Sequence, residues 1–284
     1  MDYREKKFCH VHVGGNQKIY KKCLNFQICV YSIKYFTENL LLIIHKGDKI
    51  KIMEGFNEKD VRLFYRFLNH RFLTKLRFLK KGHFPVFKIV KSENEFVKAC
   101  KQWNGKRNIY AGLRDRRKGL KRPANFSDII GIQTIAIDID PIRETGIPST
   151  EEELKKAIEI SEIIQNWFKE NGFLPPVRAM TGNGVCMYFS IPFYEVNDEN
   201  QFDITGKLDF FEKRISEIFR KDLKRLNCKI DPMYDLPRIV KVIGTLSVKG
   251  ENTSERPWRL SYFIDEPKRM EDEKLLKAIL EENL

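Results

Sequence analysis

Two aspartates end a hydrophobic segment in the middle of the chain. Asp138 and Asp140 follow the apolar residues Ile135 to Ile137, and Pro141 comes directly after them. Because side chains alternate along a β-strand, both carboxylates are expected on one face and the isoleucines on the other. Neighbouring carboxylates repel each other unless a cation lies between them, and a hard divalent metal with oxygen ligands meets that need. The pair indicates a metal site, although such pairs also occur at solvated strand ends.

A glycine-rich turn is the second candidate segment. The chain reads Thr181-Gly-Asn-Gly184 between two short apolar stretches, and Cys186 and Tyr188 follow. Glycine accepts positive φ angles and permits close backbone approach, so such a turn can present N–H groups to phosphate oxygens. The same composition is common in ordinary hairpin turns, and by itself the turn does not decide between these two uses.

A third carboxylate and a set of cations lie farther along. Asp231 precedes Arg238 and Lys241, and Lys249 follows a Gly244-Thr245 turn. Three carboxylates can hold two divalent ions, and an arginine together with a lysine can hold a triphosphate, the arginine through its bidentate fork. These groups are the components of nucleotidyl transfer. Ion pairs at the surface are the alternative.

In this order, the three segments resemble the archaeo-eukaryotic primase superfamily, most closely its primase-polymerase branch. That family has a strand ending in hhhDhD/E, an S/T-G-x-G-x-H-x-Y turn, and hD followed by R-x-x-R-x-P-G-T-x-x-x-K, and the resemblance covers about residues 90–265. It implies a DNA primase or primase-polymerase that uses two Mg²⁺ or Mn²⁺ ions, (d)NTPs and a single-stranded DNA template. The resemblance assigns catalysis and metal binding to Asp138, Asp140 and Asp231, and nucleotide binding to Thr181, Gly182, Asn183, Gly184, Cys186, Arg238, Lys241 and Lys249.

The chain departs from the family pattern at two places. Cys186 stands where the family has a phosphate-binding histidine, and Lys241 and Ile243 stand where it often has arginine and proline. A thiol is neutral near pH 7 and donates weak hydrogen bonds, so it does not replace a charged imidazole. The alternative function is therefore a catalytically weak or inactive primase-like accessory protein that binds single-stranded nucleic acid. Because the chain has no G-x-x-x-x-G-K-[ST] motif, a helicase would be a separate partner.

Positive charge is concentrated in the first part of the chain. The formal net charge is +13, made of about +19 in residues 1–130 and about −6 in residues 131–284. A basic surface with interspersed aromatic residues is typical of single-strand binding, with affinity that falls as salt rises. The predicted nucleic-acid contacts are Arg71, Lys75, Arg77, Arg114, Arg116, Arg117 and Lys121.

The spacing of apolar residues predicts an α+β protein. Residues 1–88 are expected to form a basic accessory module with short strands, followed by one helix from Asn57 to about Leu79. Residues 89–284 are expected to form the primase-polymerase domain, an RRM/ferredoxin-like sheet in β-α-β-β-α-β order with an N-terminal αβ unit. A basic loop is predicted from Arg114 to Pro123.

The first module contains two further patterns. Cys9, His12, Cys23 and Cys29 have the ligand types of a structural Zn²⁺ site, although the spacing is looser than in common zinc fingers. The His10-Val-His12 triplet matches the His-hydrophobic-His strand of rolling-circle nicking endonucleases, with Tyr65 as the candidate nucleophile. This is a third, more distant hypothesis.

The cellular location is predicted from absences in the sequence. No apolar run approaches the roughly 20 residues that span a bilayer, and the chain starts without the apolar region of a signal peptide. Six cysteines in 284 residues do not form a disulfide framework of the secreted type. We therefore expect a cytoplasmic protein with reduced cysteines and no membrane partner.

Overall fold

The computed structural model describes the backbone of residues 18–25, 28–34 and 39–45, and residues 55–284 in full. The chain divides into two compact units, Met1–Glu54 and Gly55–Leu284. In the first unit, β1 (Lys18–Asn25), β2 (Ile28–Lys34) and β3 (Asn39–His45) form an antiparallel sheet in that order.

The predicted zinc ligands all belong to this first unit. Cys23 and Cys29 are register partners on β1 and β2. Cys9, His10 and His12 lie outside the described residues, so the zinc site stays a prediction.

The second unit is a mixed α+β structure, as predicted. Its helices are α1 (Glu58–Leu68), α2 (Glu93–Trp103), α3 (Glu151–Glu170), α4 (Gln201–Ile218), α5 (Arg220–Arg225) and α6 (Glu273–Leu280). Its strands are β4 (Thr74–Leu79), β5 (Val86–Val90), β6 (Asn108–Gly112), β7 (Asp115–Arg116), β8 (Ile129–Pro141), β9 (Val177–Met180), β10 (Val185–Glu195), β11 (Cys228–Asp231), β12 (Ile239–Lys241), β13 (Leu246–Ser247), β14 (Arg259–Leu260) and β15 (Tyr262–Phe263).

The larger sheet is organised around β8. Its strand order is β11-β8-β10-β9-β15, with β7 also paired to β8, and every pairing is antiparallel. Ile135, Ile137 and Ile139 are buried in one core together with residues of α3 and α4. Ala136, between them in sequence, is buried in a second core on the opposite face with residues of α1 and α2. The predicted alternation along this strand is confirmed, so Asp138 points away from the isoleucine side.

The smaller sheet has the order β12-β6-β4-β5 and is also antiparallel. Leu76, Phe78, Ile109 and Ala111 on its inner face pack in the second core, which also contains residues of the larger sheet. The two sheets therefore share a core, and the segment between β11 and β12 connects the larger sheet to the smaller one.

The predicted helix from Asn57 to Leu79 is wrong in its second half. The helix α1 ends at Leu68, and Asn69 caps it in the left-handed conformation with φ of 51°. After that turn, residues Thr74–Leu79 form β4 between β5 and β6. The apolar positions fitted a helix because Phe72, Leu76 and Leu79 continue its spacing, whereas the buried apolar residues of β4 are Leu76 and Phe78, which alternate as in a strand. The predicted boundary between residues 88 and 89 falls inside the second unit, since β4 pairs with β6.

Other elements agree closely with the sequence. The capping box that predicts the start of α3 is present, with Thr150 Oγ1 accepting from the Glu153 N–H at 3.1 Å and the Glu153 carboxylate accepting from the Thr150 N–H at 2.8 Å. Among the described helices, none combines the length and hydropathy that a bilayer crossing requires.

Candidate active site

The three predicted metal ligands meet on adjacent strands. In the β-sheet register Asp138 on β8 is paired with Asp231 on β11 and, on its other side, with Cys186 on β10. Directly opposed residues in antiparallel strands have Cβ atoms about 5 Å apart and point to the same face. Asp140 lies two residues farther along β8 and therefore on that face too. The predicted convergence of these carboxylates is what the structure has.

These carboxylates line a cavity of about 230 Å³. The residues predicted to bind nucleotide that also line it are Thr181, Asn183, Cys186, Lys241 and Lys249. Tyr110, Met233, Ile239, Val240 and Ser247 complete the lining. Gly182, Gly184 and Arg238 lie in or beside segments that form its walls but do not line it. Segments separated by more than a hundred residues in sequence thus form one concave site.

Like charges surround Asp138 in this cavity. Burial and the charges of Asp140 and Asp231 raise the pKa of Asp138 well above its usual value, and Lys249 and Arg238 offset this only in part. Burial and the charges of Asp138 and Asp140 raise the pKa of Tyr110 to about 12, so its hydroxyl stays protonated. An added cation would relieve the repulsion among these carboxylates.

Asp140 and Asp231 each have a cationic neighbour in the protein. Arg143 Nη2 lies 3.5 Å from Asp140 Oδ2, and Lys229 Nζ donates to Asp231 Oδ1. Among the described residues, no three histidine, cysteine, aspartate or glutamate side chains form a ready-made metal site. Mg²⁺ does not require one, because it commonly binds one or two carboxylates together with water and substrate phosphates. The oxygen-only donor set and the unrelieved charge at Asp138 fit such an ion.

Two glycines let the turn from Thr181 to Gly184 pack directly on the carboxylate strand. A Cβ atom at Gly184 would lie 2.2 Å from Ile139 O and 2.4 Å from Asp140 Oδ1. Gly182 has φ of +107°, and a Cβ there would lie 2.3 Å from the Ser247 Cβ. Only glycine permits this close approach, so the turn packs directly against Asp140.

Asn183 stabilises this turn from within. Its Oδ1 accepts from the Ser149 N–H at 2.9 Å, and its Nδ2 donates to Ser247 Oγ at 3.0 Å. The side chain is buried and both ends of its amide have protein partners. Asn183 therefore supports the turn, and its role as a nucleotide ligand stays a prediction.

The three predicted cations differ in their surroundings. Lys241 Nζ donates to Thr245 Oγ1 and Leu246 O, each at 2.9 Å, and burial lowers its pKa to about 7. Arg238 forms an ion pair with Asp235 and keeps about a third of its side chain exposed. Lys249 lines the cavity and has no ion-pair partner among the described carboxylates. Lys241 therefore supports the turn that follows β12, whereas Lys249 and Arg238 keep donors available near the carboxylates.

Cys186 is buried and faces Asp138. Burial and the neighbouring Asp138 raise the pKa of its thiol well above the ordinary value, so the side chain is neutral. Tyr188, two residues on, is also buried and packs edge-on against Phe64 and Phe67. Cys186 therefore belongs to the site, whereas Tyr188 belongs to the core.

Three of the predicted nucleic-acid contacts are buried instead of exposed. Arg114, Arg116 and Lys75 expose 3% or less of their surface. The predicted loop begins with β7, which pairs with β8, so these arginines are drawn into the protein. Arg114 donates to Thr134 O, and Arg116 Nη1 donates to Arg114 O at 2.7 Å. The predicted loop after Arg114 is wrong over these residues, and their roles as DNA contacts are corrected accordingly.

The other four predicted contacts reach the surface to different extents. Arg71 and Lys121 line a shallow cavity of about 500 Å³ that also contains Lys91 and Lys118. Arg117 is exposed, with its Nε 4.0 Å from Asp128. Arg77 is half-buried on β4, between Tyr110 of β6 and Phe87 of β5 in the register.

Tyr65, the candidate nucleophile of the nicking hypothesis, lies on α1 and packs against Phe96 with ring centroids 5.2 Å apart. Burial and the charges of Glu93 and Glu95 raise the pKa of its hydroxyl. This surrounding opposes activation of the tyrosine.

Tyr110 is a site residue that the sequence prediction missed. It lies outside the three sequence motifs, and a single tyrosine in a strand has no motif. Its alternation with the buried Ile109 and Ala111 is the signal that places it on the cavity face of β6.

The chain matches no protein-family model and no curated protein. It is similar to the solved structure of primase RepB′, with 9% identity and a TM-score of 0.46 over 80% of this chain and 61% of that one. The catalytic domain of primase RepB′ in complex with initiator DNA matches with 11% identity and a TM-score of 0.44 over 80% and 92% of the two chains. The polymerase domain of Mycobacterium tuberculosis ligase D in complex with DNA matches with 10% identity and a TM-score of 0.42 over 80% and 88%.

The chain thus spans about three fifths of the primase RepB′ chain that it matches. We base the functional proposal on the geometry of the site itself.

Proposed function

We propose that this chain is a metal-dependent nucleotidyltransferase of the primase-polymerase type, which extends or initiates a nucleic-acid strand on a single-stranded DNA template. The observation that carries the proposal is the position of Asp138 beside Asp231 in the sheet, with Asp140 on the same face. A buried carboxylate between two others is unfavourable unless cations are bound. A catalytic metal site accounts for this arrangement.

The carboxylates would hold Mg²⁺ or Mn²⁺, which supplies Lewis-acid activation of a 3′-hydroxyl and neutralises charge on a triphosphate. Lys249 would contact the triphosphate from the cavity wall, and Arg238 would offer its fork from the edge. The Thr181 to Gly184 turn fixes Asp140 and closes one side of the cavity. The protonated Tyr110 hydroxyl would donate a hydrogen bond to substrate oxygens without adding negative charge.

The test is incorporation of labelled nucleotides on single-stranded DNA, with and without a primer, in Mg²⁺ and in Mn²⁺. We expect metal-dependent products from the wild type and none from the Asp138→Ala/Asp140→Ala variant. A control is Asp203→Ala on α4, an exposed aspartate that does not line the cavity. Equal activity of the wild type and the double variant would refute the assignment.

A second candidate is a binding protein without catalytic activity. The neutral Cys186 thiol next to Asp138 favours it, because a charged imidazole would bind phosphate more strongly. Such a protein would bind single strands equally well in chelator and in metal, and it would make no product under any condition. The incorporation assay, run beside a strand-binding assay, separates the two candidates.

A further inference from the structure

A second concave surface adjoins the carboxylate cavity. It is a groove of about 610 Å³ between the loop that joins β4 to β5, the turn after α2 and the segment after β13. Lys249 lines both the groove and the carboxylate cavity. The two spaces therefore meet at this lysine. We call this surface the lysine groove and define it by Lys80, Lys81, His83, Lys106, Lys249 and Trp258.

The lysine groove is positive throughout. Four lysines and one histidine line it, and no aspartate or glutamate does. Within the described part of the chain, none of these four lysines has a carboxylate oxygen within 4.0 Å. Lys106 Nζ donates to Gln102 O at 3.0 Å, which leaves its charge uncompensated. A surface of unpaired cations of this density attracts a polyanion.

Aromatic groups accompany the cations. Trp258 forms part of the wall, and its indole N–H donates to Gly250 O at 3.1 Å, which fixes the ring. Phe84, in the same β4–β5 loop as Lys80 and His83, is 94% exposed. Its carbonyl accepts from Arg107 Nη1 at 2.7 Å, so the backbone that presents the ring is anchored. Exposed aromatic rings beside lysines are the surface on which unpaired bases stack.

We propose that the lysine groove binds a single strand of nucleic acid whose backbone passes Lys249 at the carboxylate cavity. Lys80, Lys81 and Lys106 bind its phosphates, and Phe84 stacks on a base. This inference rests on the proposed function for the identity of the polyanion. It replaces the buried Arg114 and Arg116 of the sequence prediction with a different set of residues.

The test measures binding of a fluorescein-labelled single-stranded DNA oligonucleotide to the full chain by fluorescence anisotropy in chelator, over a range of salt concentrations. The variant Lys80→Ala/Lys81→Ala/Lys106→Ala removes three cations from the groove. The matched variant Lys155→Ala/Lys221→Ala/Lys224→Ala removes three exposed cations from α3 and α5. Both triple variants have the same net charge.

Loss of three phosphate contacts makes the plot of log affinity against log salt less steep, with a slope smaller in magnitude by about 2. This corresponds to up to about 50-fold weaker binding near physiological salt. We expect this from the groove variant and little change from the matched variant. Phe84→Ala should weaken binding roughly tenfold without changing the slope, because stacking does not release counterions.

Equal effects of the two triple variants would show that only net charge matters and would overturn the proposal. The proposal would also be overturned if the groove variant bound the oligonucleotide as the wild type does but lost nucleoside triphosphate binding, because the groove would then hold the nucleotide. The assay needs neither metal nor catalysis, so its failure is separate from a failure of the nucleotidyl-transfer proposal. An inactive protein that still binds DNA through the groove would refute only the latter.

Discussion

Replacing Gly184 with alanine should damage the carboxylate site at a modest cost in stability. The new Cβ would lie 2.2 Å from Ile139 O, whereas ordinary van der Waals contact begins at 3.4 Å. Ile139 lies near the end of β8 and is paired on both sides, with Val185 and with Ile230. The strand is thus held in place, and the turn has to move by about 1 Å to remove the overlap.

The size of both effects follows from that displacement. Overpacking of this kind costs about 1–3 kcal/mol, which a domain with a typical stability of about 5–15 kcal/mol survives. A misplacement of about 1 Å at a reacting centre can lower the rate about 100-fold. We therefore expect a folded Gly184→Ala protein with about 1% of the wild-type rate of nucleotide incorporation.

The control is Gly206→Ala, in the middle of α4, where an added Cβ would meet nothing within 4 Å. This substitution should stabilise the helix by about 0.5–1 kcal/mol and leave the rate unchanged. Thermal denaturation and incorporation of labelled nucleotide measure the two effects. Wild-type incorporation by Gly184→Ala, with its stability lowered as expected, would refute the conclusion that the turn fixes the carboxylates.

Substitutions at three other positions test buried polar and charged groups. Asp138→Asn should make the protein more stable than the wild type in chelator above neutral pH. The pKa of Asp138 is raised in the folded state, so the stability that its protonated carboxyl contributes is lost as pH rises. Added Mg²⁺ should stabilise only the wild type, as judged by melting temperature. Cys186→His should strengthen nucleoside triphosphate binding several-fold, as measured by titration calorimetry, and weaker binding would contradict the phosphate-contact role. Because a larger ring enters a buried position, the substitution should also cost about 1–3 kcal/mol in stability, as measured by chemical denaturation. Glu212→Ala should cost about 2 kcal/mol because the Met233 N–H loses its acceptor, whereas Glu212→Gln keeps an acceptor and should remain stable. Burial raises the pKa of Glu212 to about 7 from 4.5, so ionisation of this buried carboxyl lowers the stability of the wild type as pH rises between those values; the glutamine variant should lack that loss in denaturation curves collected across the same range.

Local patterns in the sequence were sufficient for two of the three carboxylates. Alternation along one strand placed Asp138 and Asp140 on the face opposite the isoleucines, and the cavity contains both. The pairing of Asp138 with Asp231 was not visible in the sequence, because it depends on β11 lying next to β8. The resemblance to a known family supplied that association, and spacing alone did not.

The errors have a common physical cause. Arg114 and Arg116 were assigned to a solvated loop because they lie in a basic segment with few apolar residues. A two-residue strand, β7, instead pairs with β8 and carries the arginines inward, a long-range event with no local signal. The helix predicted through Leu79 failed for the same reason, since Leu76 is placed by pairing with β5 and β6. Local composition could not reveal which basic residues are buried.

The arrangement of charge also bears on the choice between catalysis and simple strand binding. The lysine groove attracts phosphates, yet it opens at Lys249 onto a cavity that holds three aspartates. Carboxylates at that point repel the same phosphates and raise the free energy of the folded chain by leaving Asp138 buried beside like charges. A protein that only binds strands gains nothing from them. Divalent ions bound between the carboxylates and the phosphates would attract both groups and so remove the repulsion of the phosphates and the repulsion at Asp138. For this reason we favour nucleotidyl transfer over binding alone.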